Sequence, residues 1–249
     1  MERYLIRYSW EGFARTVPSQ TDLAILPVGT IEAHGIAGLG TDIVIPELLA
    51  SRIAEPLNSI VCPTIPFGVT RTLLPYPGSV TVTSTTFTEY AAEILLGLSK
   101  AGFRKVIVLN GHGGNINELR AARERAFKEQ GLYSAQVEWW IMAEPEAQEV
   151  WGAIGGHAAC EETGLFSLVH PDVATSSKWS DELAYAPSPG ISALPLPGAV
   201  IVKEPGKGLP DFNAEHSAQF LDKVAERLIK ELKTILAGWK RIEKVERER

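Results

Sequence analysis

The chain has 249 residues, 22% of them charged, and a formal net charge of −6 at pH 7. Hydrophobic residues make up 45%, which is ordinary for a globular protein and excludes an intrinsically disordered chain. The acidic balance argues against the basic surface of a nucleic-acid-binding protein.

Cys62 and Cys160 are the two cysteines of the chain, too few for a disulfide framework at this size. We expect both thiols to be reduced. The N-terminus, MERYLIRYSWEGF, lacks the apolar core of a signal peptide, and no apolar run is long enough to span a bilayer. The sequence therefore predicts a cytoplasmic protein without a membrane partner.

Short apolar runs alternate with stretches of helical periodicity along most of the chain. Aliphatic runs bounded by turn residues predict buried strands at 22–28, 60–65, 105–110 and 133–142. Helical periodicity predicts helices at 42–55, 85–100, 116–130, 161–169 and 213–245. Asp42, or Thr41 before it, is expected to cap the first helix, with Pro46 in the first turn.

This alternation predicts an α/β fold with a largely parallel sheet and helices on both faces. We expect one domain over 1–249, with a long C-terminal helix from about 213 and a charged tail that frays into solvent. Residues 176–210 are rich in Pro, Gly and Ser and are predicted to be irregular. Ligands of such folds bind at the carboxyl ends of strands, where the loops after Val28 and Asn110 lie.

The first group of candidate ligands lies in the loop after Val28. Glu32 and His34 are two residues apart, so their side chains point the same way on an extended backbone. Asp42 follows across a glycine-rich stretch. Carboxylates and imidazoles together suit Zn²⁺, Mn²⁺ or Fe²⁺. The alternative is a capping aspartate near a solvated glutamate and a loop histidine.

The second group, Gly111-His112-Gly113-Gly114-Asn115, directly follows the predicted strand 105–110. The glycines around the histidine allow a metal or substrate to approach closely. Two alternatives remain: a phosphate-binding turn, which glycine-rich strand-to-helix loops can form, and a turn with an incidental histidine. No Lys-Ser/Thr pair follows the motif, and no GxGxxG pattern is present.

The third group, GGHAACEET, spans Gly155 to Thr163. Glu162 falls in the first turn of the predicted helix, close to His157, so the pair could act as general acid or base and as metal ligand. One alternative is a pair of acidic residues that stabilises a helix N-terminus. Another is a catalytic Cys160 thiol activated by the same histidine.

The remaining candidates are weaker. His170 follows an apolar helix, which gives it a structural role, and His216 is interpreted as a solvated helix residue. Three aromatic residues are candidates for lining a pocket or packing in the core: Tyr76, Trp151 and Trp179.

Taken together, these motifs resemble the creatininase family of metal-dependent amidohydrolases over about residues 22–171. The matching segments are LPVGTIEAHGIAGLGTD, Tyr76-Pro77-Gly78-Ser79, NGHGGN and GHAACEET. The resemblance implies a three-layer α/β/α sandwich with a mostly parallel sheet. It also implies an enzyme that hydrolyses a carbon–nitrogen bond other than a peptide bond in a small-molecule amide, including cyclic amides.

The resemblance further implies a centre of two divalent metal ions, Zn²⁺ or Mn²⁺, with Fe²⁺ as an alternative. The implied metal ligands are Glu32, His34, Asp42, His112 and Glu162. Asp42 would bridge the two ions, with Glu32 and His112 on one ion and His34 on the other. His157 and Glu162 would be the catalytic residues, His157 as proton donor to the leaving nitrogen. The family also suggests a homo-oligomer, specifically a hexamer.

Four departures from the family pattern stand out. The loop between His34 and Asp42 is one residue shorter than usual and lacks a second histidine. Gly114 occupies the place of a metal-binding glutamate in true creatininases, Ala159 replaces a glycine, and Gly164 replaces a serine. These changes favour a substrate other than creatinine. The alternatives are a formamide hydrolase of flavin or deazaflavin synthesis, a peptidase of redox-cofactor maturation, and a member that binds metal without catalysis.

Overall fold

A four-stranded parallel sheet lies at the centre of the structure, a computed structural model that describes residues 1–248. Its strands are β1 (Leu23–Val28), β2 (Ile60–Val61), β3 (Lys105–Asn110) and β4 (Tyr133–Glu138). Their order across the sheet is β2-β1-β3-β4, and all three pairings are parallel. Every residue of β1 and β3 is buried, as expected when helices cover both faces of a sheet.

Eight α-helices surround the sheet. They are α1 (Trp10–Thr16), α2 (Thr41–Ile53), α3 (Ser84–Lys100), α4 (Ile116–Gln130), α5 (Trp139–Met142), α6 (Glu144–Trp151), α7 (Cys160–Val169) and α8 (Ala214–Arg247), counted over the described residues. Two short parallel strands, β5 (Ala184–Tyr185) and β6 (Val200–Ile201), form a separate ribbon.

Alternation along the central strands divides the core into two layers. Leu23 and Ile25 of β1 face a core shared with α2, α7 and α8, whereas Ala24 and Leu26 face a core shared with α3 and α4. Successive side chains on a strand point to opposite faces, so one apolar strand supplies both cores. The predicted three-layer α/β/α architecture with a mostly parallel sheet is confirmed.

Two predicted strands were too long. β2 ends at Val61 rather than at Ile65, because Pro63 has no N–H to donate to a ladder. Ile65 forms only an isolated bridge, to Val28. β4 ends at Glu138 because the chain turns into α5, which places Trp139 fully inside the core.

The prediction that the charged tail frays was wrong, since α8 continues to Arg247. Glu243 contacts the Lys105 ammonium at the start of β3, with Oε1 and Nζ 2.5 Å apart. The Tyr133 hydroxyl donates to Glu246 at 2.8 Å. These contacts fix the last turns against the amino-terminal end of the sheet.

Four elements were not predicted from the sequence: α1, α5, α6 and the β5–β6 ribbon, which are short and have little periodicity of their own. Along residues 1–248, no helix has the length and apolar character needed to cross a membrane.

The chain leaves β1 toward β2 on one side of the sheet, and it leaves β3 toward β4 on the other side, so the direction of the connections changes between β1 and β3. The crevice between their carboxyl ends is the place where ligands bind in open α/β sheets.

Candidate metal centre

Asp42 lies in this crevice because two glycines leave room for its backbone. A Cβ added to Gly29, after β1, would lie 2.3 Å from the Asp42 carbonyl oxygen, and one added to Gly111, after β3, would lie 2.1 Å from it. Any side chain at either position would push α2 away from the sheet. The first turn of α2 therefore brings the Asp42 carboxylate between the two loops.

The prediction that Asp42 or Thr41 caps α2 was wrong. Gly40 is the N-cap, no side chain caps this end, and Asp42 is the second residue of the helix. Pro46 lies inside the helix rather than in its first turn. Because proline has no N–H, the Asp42 carbonyl lacks its usual helical partner, and the glycines pack against it instead. The Asp42 side chain is thus free to face the histidines.

The loop after β1 positions Glu32 and His34. The Glu32 N–H donates to the Leu39 carbonyl at 3.0 Å, and the Ala33 N–H donates to Ser79 Oγ at 3.0 Å. His34 Nδ1 lies 3.0 Å from the Glu32 carbonyl oxygen, so Nδ1 carries the ring proton and Nε2 faces the crevice with its lone pair. The matched segment Tyr76–Ser79 therefore supports this loop through Ser79.

Both asparagines of NGHGGN hold His112 in place. The Asn110 side chain donates to the His112 carbonyl and accepts from the His112 N–H, at 2.8 and 3.1 Å. The Asn115 amide donates to the Gly29 carbonyl at 3.1 Å and accepts from the Val69 N–H at 2.9 Å. His112 Nε2 lies 3.1 Å from the Val69 carbonyl oxygen, which leaves Nδ1 facing Asp42.

The third motif closes the site from the side of α7. Glu162 Oε2 accepts from the Ala158 N–H at 2.6 Å, and the His157 ring stacks on His34 with centroids 4.2 Å apart. His157 Nε2 lies 2.8 Å from the Ala33 carbonyl oxygen. The structure therefore brings all six predicted site residues into one cluster.

Asp42 is at the centre of this cluster. Its Oδ1 lies 2.8 Å from His34 Nε2, and its Oδ2 lies 2.9 Å from His112 Nδ1. Glu162 Oε2 is 3.6 Å from His34 Nε2, and Glu32 Oε2 is 3.4 Å from His112 Nδ1. Two sets of three possible ligands thus share Asp42: one with Glu32 and His112, the other with His34 and Glu162.

The donor atoms suit metal ions better than they suit one another. His34 Nε2 and Asp42 Oδ2 are buried and lack a hydrogen-bond partner, although each has a nitrogen or oxygen within 3 Å. Both residues belong to the sets of possible metal ligands that share Asp42, so a bound cation would supply the missing partner. Imidazole nitrogens and carboxylate oxygens are suitable ligands for Zn²⁺ and Mn²⁺, so the residues fit the metals that the resemblance implies.

The charges of the cluster lead to the same conclusion. Burial raises the pKa of Glu162 to about 8 and also raises that of Glu32. Burial opposes the charged form of His34, but Asp42 and Glu162 outweigh it and raise its pKa to about 10. Without metal, protons must balance the three buried carboxylates, and metal ligands release such protons when a cation binds.

A cleft of about 700 Å³ opens onto the cluster. Trp140 is the aromatic residue on its wall, together with Leu73, Ile191 and Val202. From the sequence, Trp140 was expected in a strand and was not predicted to line the pocket. Its apolar neighbours along the chain hide its role, which follows from the turn into α5.

The three aromatic residues proposed for the pocket do not line this cleft. Trp151 packs on Phe220 and donates to Asp211 at 2.6 Å. The Tyr76 hydroxyl donates to the Leu196 carbonyl. Trp179 packs against a small cluster of buried residues that includes Val200.

The weaker candidates have structural surroundings. Cys62 and Cys160 are buried free thiols, and burial raises both pKa values well above the ordinary range, to about 12 for Cys62. A thiol held in its protonated form is a poor nucleophile, which argues against a catalytic Cys160. His170 ends α7, and His216 pairs with Asp211 at 2.9 Å near the start of α8.

Comparison with known proteins identifies the family. A sequence model described as creatininase, creatinine amidohydrolase, matches residues 7–232. The chain belongs to the creatininase family. The prediction of an amidohydrolase that acts on carbon–nitrogen bonds other than peptide bonds is thereby confirmed at the level of the family.

Three curated relatives of this creatininase-family chain have different activities. It is 25% identical over 189 residues to creatinine amidohydrolase of Pseudomonas putida, across 66% of this chain and 71% of that protein. It is 37% identical over 100 residues to 3-dehydro-scyllo-inosose hydrolase of Thermotoga maritima, across 38% and 31%. It is 26% identical over 167 residues to mycofactocin precursor peptide peptidase of Mycolicibacterium smegmatis, across 64% and 62%.

Solved structures of creatininase share the fold. A mutant creatininase of Zn–Zn type and a manganese creatininase each superimpose with a TM-score of 0.81 at 19% identity. In both cases the match covers 94% of this chain and 98% of the other. Zinc and manganese are thus the metals of those proteins.

The departures from the creatininase pattern have local explanations. Despite the shorter loop, His34 still reaches Asp42 at 2.8 Å. Ala159 has φ −88°, which any residue adopts, so a glycine is not required. At Gly164 a Cβ would lie 2.8 Å from Ser217 Oγ of α8, and at Gly114 it would lie 2.0 Å from the Val69 carbonyl oxygen. No side chain fits at Gly114, so the extra glutamate of true creatininases has no counterpart here.

Proposed function

We propose that this protein is a metal-dependent amidohydrolase with two divalent metal ions, which hydrolyses a non-peptide amide, including cyclic amides. One observation carries the proposal. The Asp42 carboxylate lies between His34 and His112, with one oxygen within 3 Å of each ring, and a further carboxylate on either side. This is the donor arrangement of a centre in which one carboxylate bridges two cations.

Each residue has a defined role in this proposal. Glu32 and His112 would hold one ion, His34 and Glu162 would hold the other, and Asp42 would be shared by both. Zn²⁺ or Mn²⁺ fits these ligands, with Fe²⁺ as an alternative. Bound divalent ions lower the pKa of a coordinated water and polarise a substrate carbonyl.

His157 is the proton donor to the leaving nitrogen. Because the Ala33 carbonyl can only accept, His157 Nε2 carries the proton in the neutral ring. This leaves Nδ1, 4.0 Å from Glu32 Oε2, free to take up a proton in the site and pass it on. Burial and the nearby His34 lower the pKa of His157, which keeps its resting ring neutral.

The Glu162 side chain contacts both the metal cluster and the backbone that carries His157. The carboxylate oxygen that faces His34 also accepts from the Ala158 N–H at 2.6 Å. It therefore fixes the backbone next to His157 while it contributes a ligand. We propose that Glu162 also orients the attacking water.

The relatives define the competing reactions. The match to mycofactocin precursor peptide peptidase keeps a peptidase of cofactor maturation as the alternative. The sequence also leaves open a formamide hydrolase and a family member that binds metal without catalysis. All of these proteins would use the same ligand set, and a substrate screen separates them.

The test is to remove metal with a chelator and restore Zn²⁺ or Mn²⁺, with hydrolysis of cyclic amides, formamides and short peptides followed by chromatography. We expect hydrolysis of a non-peptide amide that disappears on chelation and returns with metal. Asp42→Asn should remove it, whereas Asp222→Asn, a surface change on α8, should not. Hydrolysis that persists without metal, or of peptides alone, would contradict the proposal.

We further propose a cytoplasmic homo-oligomer, with the hexamer of the family as the expected state. The oligomer is supported by the open edge of β4, where Ile141 and Ile235 border a shared groove and are 53% and 37% exposed. Light scattering of the purified protein measures the assembly directly, and a monomer at micromolar concentration would refute it.

A further inference from the structure

The cleft contains two charged groups beyond the proposed metal ligands, and both are cations. Among the described residues that line it, Glu32, Asp42 and Glu162 belong to the metal cluster, and the others with charge are Arg71 and Lys203. The chain as a whole carries a net charge of −6. The charges that remain in the cleft are both positive, although the protein as a whole is acidic. The cleft therefore favours a ligand with an anionic group.

Arg71 is held in a fixed position at the wall of the cleft. Its Nη1 donates to the Gly114 carbonyl at 3.1 Å, and its Nη2 donates to Ser84 Oγ at 2.9 Å and to Glu118 Oε1. Three of the five guanidinium N–H groups are thus engaged, which leaves two for a ligand. Gly114 is two residues from His112, so Arg71 lies beside the metal cluster.

The Arg71–Glu118 pair presents its positive partner to the cleft. The Arg71 side chain is 50% exposed, whereas that of Glu118 is 8% exposed and does not line the cleft. Glu118 Oε2 is buried without a hydrogen-bond partner, whereas Oε1 accepts from Arg71. A buried carboxylate behind the guanidinium reduces its freedom, and a pre-positioned cation binds an anion at lower entropic cost.

We propose that Arg71 is a specificity-determining residue that binds an anionic oxygen group, a carboxylate or a phosphate, carried by the amide substrate. The inference rests on the proposed function, because the amide itself must occupy the metal centre. The loaded centre favours the same substrate, since two divalent cations exceed three carboxylates by one positive charge. Lys203 also lines the cleft and adds to this field, but its side chain is 60% exposed and its Nζ lies 3.6 Å from Glu144 Oε1.

The experiment measures binding of three matched amides by calorimetry to the protein as purified and to the protein loaded with Zn²⁺. The probes are succinamate, its neutral analogue butyramide, and 3-phosphonopropanamide, which replaces the carboxylate with a phosphonate. The variants are Arg71→Gln, Arg71→Lys and Arg125→Gln. Arg125 also bonds two carboxylates at the surface, Glu89 and Glu129, outside the cleft, and is the matched control.

We expect an anionic amide to bind at least about tenfold tighter than butyramide, the effect of a charge-assisted hydrogen bond. Arg71→Gln should abolish this preference, Arg71→Lys should retain part of it, and Arg125→Gln should not change it. The anionic amide that binds more tightly shows whether Arg71 prefers a carboxylate or a phosphate-like group. If Arg71→Gln fails to fold, the double variant Arg71→Gln/Glu118→Gln gives the same test, because it leaves no buried carboxylate without its cation.

Equal binding of all three amides, no binding of any, or a preference that survives in Arg71→Gln would overturn the inference. Metal content of the same samples separates this from failure of the proposed function. A chain that takes up no metal refutes the proposed function. A metal-loaded chain without the anion preference refutes only the role of Arg71.

Discussion

At the scale of single residues, the geometry of the cluster depends on glycines as much as on ligands. Gly29 and Gly111 let Asp42 approach the sheet, and Gly114 lets His112 bond the Val69 carbonyl. Such second contacts orient a metal-binding histidine and raise its affinity for metal. The glycines flanking each motif therefore belong to the site.

Replacing Gly114 with alanine tests this dependence. The new Cβ would lie 2.0 Å from the Val69 carbonyl oxygen and 2.4 Å from His112 Nε2, so it must displace the bond between them. We expect metal affinity to fall about 10- to 100-fold, the usual effect of losing such a contact. Gly113→Ala is the control, because no atom lies within 4 Å of a Cβ there. Equal metal titration curves for both variants would show that the contact is unimportant.

Replacing His157 tests its role as proton donor. His157→Ala should lower kcat about 10²- to 10⁴-fold, the contribution of general acid catalysis, with metal content unchanged. A nitrophenyl ester needs no proton on its leaving group, so its hydrolysis should fall far less. Comparable losses on amide and ester, or full amide turnover, would assign His157 a different role.

The residues of the cluster could be predicted from sequence, whereas the walls of the cleft could not. A histidine next to glycines at a strand end indicates that the backbone there approaches a ligand or another segment closely. This signal is local and can be found in the sequence alone. Trp140 and Arg71 reach the cleft only through α5 and the 66–79 loop. Their role depends on tertiary contacts, which leave no periodic signal.

At the scale of elements, long regular segments were predictable and short ones were not. β3 and α4 match their predicted bounds because a buried aliphatic run and a strong helical period leave no alternative. β2 and β4 were shortened by Pro63 and by burial of Trp139. The end of α8 was mispredicted because its contacts with Lys105 and Tyr133 are distant in sequence.

Lys105 carries a pH-dependent prediction for this end of α8. Its ammonium lies 2.8 Å from Asp22 Oδ2 and 2.5 Å from Glu243 Oε1. Burial lowers its pKa, but these two carboxylates outweigh burial, and the net pKa is raised. The stabilisation is therefore complete below the unfolded lysine pKa of about 10.4 and is lost as the pH rises through the folded value.

Lys105→Met should lower the free energy of unfolding at pH 8, because it removes both ion pairs. We expect a loss of only about 1–3 kcal/mol, because both carboxylates are partly exposed and screened by solvent. Urea denaturation at pH 8 and pH 11 measures the difference from the wild type, which should narrow at pH 11. Lys244→Met, on the exposed side of α8, is the control. A difference that stays constant or grows with pH would contradict the assignment.

At the scale of the whole molecule, the strand order explains why the three motifs meet. β1 and β3 are neighbours in the sheet, with Val28 in register with Asn110, although α2, β2 and α3 all lie between them along the chain. Their carboxyl ends open at the same crevice, and α7 closes it from one face. This meeting point follows from the α/β alternation that the sequence predicts.

The central claim is that this fold holds two metal ions around Asp42. Mass spectrometric metal analysis of the protein after saturation with Zn²⁺ or Mn²⁺ and removal of free metal tests it most directly. We predict two metal ions per chain in the wild type, and a loss from both positions in Asp42→Asn because each ion depends on that carboxylate. One ion or none in the wild type, or two retained in Asp42→Asn, would contradict the claim.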